Sequence, residues 1–170
     1  MIRQFLNHTN VPNNSSKEEI MKSCIVLVSV LALISCFVVS SFASSSQTDA
    51  KALVDKATAF FKSNGKEKAL AEFSKPKGTF DKGDLYVFAY DMSATIVAHP
   101  KNGKLIGKNL LEVPDTDGKL FRKEIVEVAK NKGSGWVDYK YMNPEAKKVE
   151  HKTTYIFRVE DTIICCGAYK

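Results

Sequence analysis

From Cys24 to Val39 the chain carries no charge, and Lys22 stands just ahead of this run. This feature constrains the fold most, because it sets the first 43 residues apart from the rest. Ser41-Phe42-Ala43 follows, with small residues three and one before a cut after Ala43. A positive start, an apolar run and a small-x-small site make a secretory signal peptide. The run is 16 residues long, short of the roughly 20 that a spanning helix needs. Two other readings stay open. One is an uncleaved membrane anchor. The other is a lipoprotein box, Leu33-Ile34-Ser35-Cys36, leaving a lipidated Cys36, although Phe37-Val38-Val39 continues the apolar run where a tether is polar.

Residues 1–20 read as an untranslated upstream extension, since Met21-Lys22 is a natural start for a signal peptide. Lys17-Glu18-Glu19 can be encoded by AAGGAGGAG, which has the form of a bacterial ribosome-binding site. Codons poor in AGGAGG would sink this hypothesis. The expected organisation is therefore an extension over 1–20, a signal peptide over 21–43 and one domain over 44–170, in a periplasmic or secreted protein. A chain of that size can bury one core.

The whole sequence holds Lys+Arg 25 and Asp+Glu 19, a net charge of +6. The charges are mixed in sign, with no basic run longer than two in 44–170. A nucleic-acid partner would want a basic stripe with interleaved aromatics, so none is expected. Cys24 and Cys36 fall in the signal segment, which leaves the adjacent Cys165 and Cys166. Neighbours on a strand point to opposite faces, so a bond between them demands a strained turn. One buried and one less buried thiol are expected instead. Metal spacing such as C-x-x-C is absent, and no cofactor or metal is expected.

Thr48 reads as a helix N-cap with Asp49 in the first turn. Leu53, Val54, Ala57, Phe60 and Phe61 recur at helical spacing, and Gly65 ends or kinks the helix. A second short helix spans 66–74. Leu85 to Tyr90 is β-branched and aromatic, a strand that turns at 91–93 into a returning strand over 94–98. After a loop, a helix runs over 119–131. Three strands follow, over 136–142, 149–159 and 162–169. The expected class is α+β: a long N-terminal helix packed on a five-stranded antiparallel sheet.

The ordered motifs extend the reading. They are Asp91, His99-Pro100, Gly107-Lys108-Asn109-Leu110, Asp117-Gly118-Lys119, Gly135-Trp136-Val137-Asp138-Tyr139, Asn143-Pro144-Glu145, Lys152 with Tyr155, and Gly167-Ala168-Tyr169. In this order and spacing the chain resembles the single Cache domain family, particularly its second type, over roughly 48–170. The resemblance implies a PAS-like sheet under a long helix. It also implies an extracytoplasmic sensor of small molecules, often carboxylates, carried by chemoreceptors or histidine kinases. Two departures bear on the ligand: Tyr141 stands where the family often has tryptophan, and Cys165-Cys166 stand where it usually has small residues.

A carboxylate ligand needs a cation or several donors in a mostly apolar cavity. Lys152 lies inside a strand pattern, and it either pairs with a ligand carboxylate or is an ordinary edge charge. His99 either donates from the cavity rim or anchors its loop to backbone. Tyr139 and Tyr141 share one strand face, as ligand walls or as core. Trp136 and Tyr155 carry the same two readings. Tyr86, Phe88 and Tyr90 share a face and build core, with one of them a candidate for the pocket wall. A Cys–His nucleophile is disfavoured, because thiols in an apolar strand stay protonated, so no enzyme is expected. Asp115-Thr116-Asp117-Gly118 resembles the start of a calcium loop, but the rest of that pattern fails and a turn is expected.

The leading expectation is an extracytoplasmic domain that binds a small organic acid through His99, Trp136, Tyr139, Tyr141, Lys152 and Tyr155, without its own transducing module. The alternative is a periplasmic interaction module that docks on a membrane sensor kinase or chemoreceptor and has no ligand of its own. Contact with the membrane itself is expected only if the signal segment is uncleaved or Cys36 is lipidated.

Overall fold

Ser46 and Asp49 open the first helix by exchanging hydrogen bonds. The Asp49 backbone N–H donates to Ser46 Oγ at 3.1 Å, and the Ser46 N–H donates to Asp49 Oδ2 at 3.2 Å. This capping box needs a carboxylate three residues after the cap. It places the cap at Ser46, a correction of the expected Thr48, which lies inside the first turn. The computed structural model describes residues 46–170. The expected upstream extension, the signal peptide, Cys24 and Cys36 lie outside the described residues.

Helix α1 (Gln47–Asn64) buries Ala50, Val54, Ala57 and Phe61. Gly65 ends it at φ +82°, with its N–H bonded to the Phe61 carbonyl. A left-handed φ is cheap for glycine alone, so the chain turns there. Helix α2 (Lys66–Phe73) follows. Phe80 then meets Phe60 and Phe73 edge to face, with Phe73 and Phe80 centroids 4.9 Å apart.

Among the described residues the sheet has six antiparallel strands rather than five. They are β1 (Asp81–Lys82), β2 (Leu85–Asp91), β3 (Ile96–Ala98), β4 (Ser134–Asn143), β5 (Lys148–Val159) and β6 (Thr162–Tyr169). The order is β1-β2-β6-β5-β4, and β3 pairs with β2. The extra strand, β1, is a charged two-residue piece with no periodicity to betray it. β3 is shorter than expected because Ala94 takes φ +66° and Thr95 bridges to Asn109 instead. Helix α3 (Phe121–Asn131) starts two residues later than the sequence suggests. No helix among the described residues is long and apolar enough to cross a membrane.

Strand alternation splits the core in two. On one face Val87, Ala89, Ile164, Cys166 and Ala168 pack under α1 and α2. On the other, Tyr86, Phe88, Tyr90, Ile163, Cys165 and Tyr169 pack under α3 and the loops before it. The adjacent cysteines therefore sit on opposite faces. Both are free and both are wholly buried, which corrects the expectation that one is less so.

Several motif residues build loops rather than a site. Asp91 Oδ1 accepts from the backbone N–H groups of Ser93 and Thr95. Asn143 Oδ1 accepts from those of Glu145 and Ala146, shaping the β4–β5 turn. Asp115 Oδ1 accepts from the N–H groups of Asp117 and Lys119, and Oδ2 accepts from that of Lys140. Its oxygens are committed to a turn.

Candidate ligand-binding site

Register puts three long polar side chains in a row across the α3 face. Lys152 on β5 lies opposite Tyr139 on β4 and Tyr169 on β6. Lys152 is only 1% exposed. Its Nζ donates to Tyr86 Oη at 2.9 Å and to Tyr169 Oη at 3.1 Å. Tyr169 Oη in turn donates to the Met142 carbonyl at 3.1 Å. Among the described residues both hydrogen-bond partners of the ammonium are thus neutral phenols, and they occupy two of its three N–H groups.

Aromatic rings enclose the same ammonium. Nζ lies 4.1 Å from the Tyr86 centroid, 4.4 Å from Tyr169, 5.3 Å from Phe88 and 5.6 Å from Tyr141. Ring faces attract a cation, which offsets part of the cost of taking it out of water. They do not offset all of it. Burial pushes the Lys152 ammonium down from 10.5 to about 7, against weaker opposing pulls from the two cysteines and Asp84.

The Lys152 stem has room because residue 167 is glycine. A Cβ there would collide with Lys152 Cε and Thr154 Oγ1. Gly167 therefore clears a lane on β6 for the side chain of its neighbour on β5, a close approach that only glycine permits.

His99 is buried between Tyr86 and Phe88, with ring centroids 5.4 and 5.9 Å away. Its Nδ1 accepts from the backbone N–H groups of Lys101 and Asn102 at 3.2 and 3.1 Å. An acceptor nitrogen carries no proton, so the neutral ring holds its proton on Nε2 and can donate from there. Burial, then the charges of Lys152 and Arg122, push its pKa down from 6.5 to about 4. The expected anchoring role thus falls to Nδ1, and Nε2 carries the ring's proton.

Tyr139 stacks on Phe121 at 3.8 Å and shares a hydrogen bond with Thr154 Oγ1 at 2.9 Å. Tyr141 meets both of those rings edge on. Together Tyr86, Phe88, Tyr90, His99, Tyr139, Tyr141 and Lys152 line a cavity of about 10 Å³. That is room for roughly one water. Burial holds the Tyr86, Tyr90 and Tyr139 phenols well above their usual range, so they stay neutral donors. It also holds the Cys165 thiol protonated on this face and pushes Cys166 up to about 12 on the other.

Lys152, His99, Tyr139 and Tyr141 are therefore brought together. Trp136 and Tyr155 are not. They touch each other at 5.0 Å on the α1 face, opposite the cavity. Alternation dictates this: Trp136 is an odd number of residues from neither Asp138 nor Lys140, but from both Val137 and Tyr139, so it faces away from the cavity. Arg122 is a residue the sequence reading missed. It lies nearly buried on α3, donates from Nη1 to the Val113 carbonyl and sits near Tyr90. Its place on the polar side of the helical pattern hid it.

Residues 44–170 match the family model described as Single Cache domain 2. The methyl-accepting chemotaxis protein McpP of Pseudomonas putida is 33% identical over 88 residues, 51% of this chain and 16% of that one. The sensor histidine kinase MctS of Rhizobium johnstonii is 29% identical over 77 residues, 45% of this chain and 16% of that one. The chain thus spans a small part of the length of these curated relatives. A solved Cache chemosensory domain, described for its recognition of carboxylic acid, superposes with a TM-score of 0.56 at 25% identity. That match covers 70% of this chain and 84% of the other. With the fold and most of its length in common, this chain belongs to the single Cache domain 2 family, a family of extracytoplasmic sensor domains.

Proposed function

We propose that the domain senses a small monocarboxylic acid in the periplasm, and that the acid binds in the cage around Lys152. The observation that carries this reading is a wholly buried ammonium whose hydrogen bonds go to neutral phenols. A buried cation is costly without a counter-charge, and a ligand carboxylate supplies one. The Lys152 N–H not taken by Tyr86 or Tyr169 and the His99 Nε2–H would bond its two oxygens. The cavity holds about one water as it stands, so seating the acid requires the rings of Phe88, Tyr139 and Tyr141 to part around its short apolar tail. Binding is reversible and involves no covalent step.

The related Cache domain known for carboxylic acid recognition supports this class of ligand. The relatives that carry a chemotaxis or kinase output support a signalling role. In this reading the ligand state is passed to a membrane chemoreceptor or sensor kinase.

A thermal-shift panel of monocarboxylates, dicarboxylates, amino acids and amines on the purified protein tests the proposal. A ligand that binds the folded state alone must raise the midpoint. Short monocarboxylates are expected to raise it, and amines to leave it unchanged. A rise with amines alone, or a flat panel, contradicts the reading.

A further inference from the structure

On the outer side of the cavity lies a second, larger space. It is an open groove of about 310 Å³. Val113, Pro114, Phe121, Met142 and Val149 supply its apolar surface, with Arg122 and Lys140 beside them. Val113, Met142 and Val149 are among the exposed large hydrophobic side chains. The inner cavity and the groove have one lining residue in common, Tyr141. Its ring centroid lies 5.6 Å from Lys152 Nζ, and the same residue lines the groove. Phe121, 6.2 Å away, and Tyr139, 6.0 Å away, hold it there edge on. Tyr141 lies on β4, the edge strand of the sheet, and is only half-buried.

We propose that Tyr141 sets the length of the ligand: its ring is the wall that confines an acid to the inner cavity and keeps its tail out of the groove. The inference rests on the carboxylate reading of the Lys152 site and adds the residue that decides which acids fit. A carboxylate held at Lys152 meets aromatic walls that must part to admit even a short tail, and behind the Tyr141 wall lies the apolar groove. A smaller side chain at 141 would join cavity and groove into one channel. Each methylene that then enters the groove gains up to about fourfold in affinity, the measure of one buried CH2.

The test is calorimetric titration of the wild-type protein and of Tyr141→Val with straight-chain acids from acetate to octanoate. Valine suits a strand, so the variant keeps the local preference of β4. The wild type is expected to bind acetate or propionate and to lose affinity steeply with longer chains. Tyr141→Val is expected to gain about tenfold or more for hexanoate relative to wild type. Tyr141→Phe, which keeps the ring, is expected to retain the wild-type ranking.

A folded Tyr141→Val protein with the wild-type ranking overturns the length wall while leaving the carboxylate site intact. Wild-type protein that binds hexanoate as tightly as propionate overturns it without any variant, so the outcome does not depend on the variant folding. A wild-type protein that binds no acid overturns the carboxylate reading, and the wall with it.

Discussion

On the proposed carboxylate reading, Lys152 and His99 serve binding at the expense of stability. Lys152 is a cation in a sheet interior, where a methionine of similar length would pack without desolvation cost. His99 spends one nitrogen on two backbone N–H groups and so is held neutral. The ordinary imidazole value is 6.5, and burial pushes His99 in the folded protein down to about 4. Between those values the unfolded chain binds more protons, so stability falls as pH falls, by up to about 1.4 kcal/mol per pH unit. His99→Asn keeps an acceptor for the two N–H groups and removes the titration. Denaturant unfolding from pH 6.5 to pH 4.5 is expected to give a shallower decline for the variant. Equal slopes would mean that His99 takes up its proton as readily in the folded protein as in the unfolded chain. On the same reading, Lys152 has the corresponding effect on binding. Burial pushes its ammonium down to about 7 in the free site, and a bound carboxylate would favour the charged form. Acid affinity should therefore fall as pH rises above about 7, by up to about tenfold per unit.

At the scale of elements, the site depends on strand register. A one-residue slip of β5 would carry Lys152 to the α1 face. The neighbouring strand contributes an absence, the missing side chain of Gly167. Gly167→Ala is expected to destabilise the fold by about 1–3 kcal/mol, the usual cost of overpacking. It should also weaken acid binding at least tenfold, since the new Cβ collides with the Lys152 stem and the Thr154 hydroxyl. A titration showing wild-type affinity in this variant would mean that the Lys152 stem has another path to the cavity. Much of this was legible in the sequence. Periodicity gave α1, β2, β5 and β6 to within a few residues, and alternation paired Tyr139 with Tyr141 on one face. What stayed hidden had physical causes. Strand β1 is too short for any period. The capping box at Ser46 was masked by Thr48, a second good capping residue two positions on. Trp136 and Tyr155 matched aromatic expectations, yet their parity along β4 and β5 sends them to the other face. Arg122 drew no notice because the tertiary fold, and not its own pattern, buries it.

For the whole molecule, the two faces of one sheet divide the work. The α1 face is a conventional apolar core, with Ala50, Val54, Ala57, Phe73 and Phe80 essentially without exposure. The α3 face trades some of that economy for neutral phenols, a histidine and a lysine around a small cavity. Substitutions on the first face should act on stability and those on the second on binding. Lys152→Met separates the two most sharply, because it removes the cation and keeps an apolar stem. Calorimetric titration of a short monocarboxylate into wild-type and Lys152→Met protein at pH 6.5, with the unfolding midpoint of each measured alongside, tests the central claim. The account predicts that the variant loses at least tenfold in affinity, on the scale of roughly 1–3 kcal/mol for a charged hydrogen bond, while its midpoint is unchanged or higher. A variant that binds the acid as tightly as the wild type would contradict it.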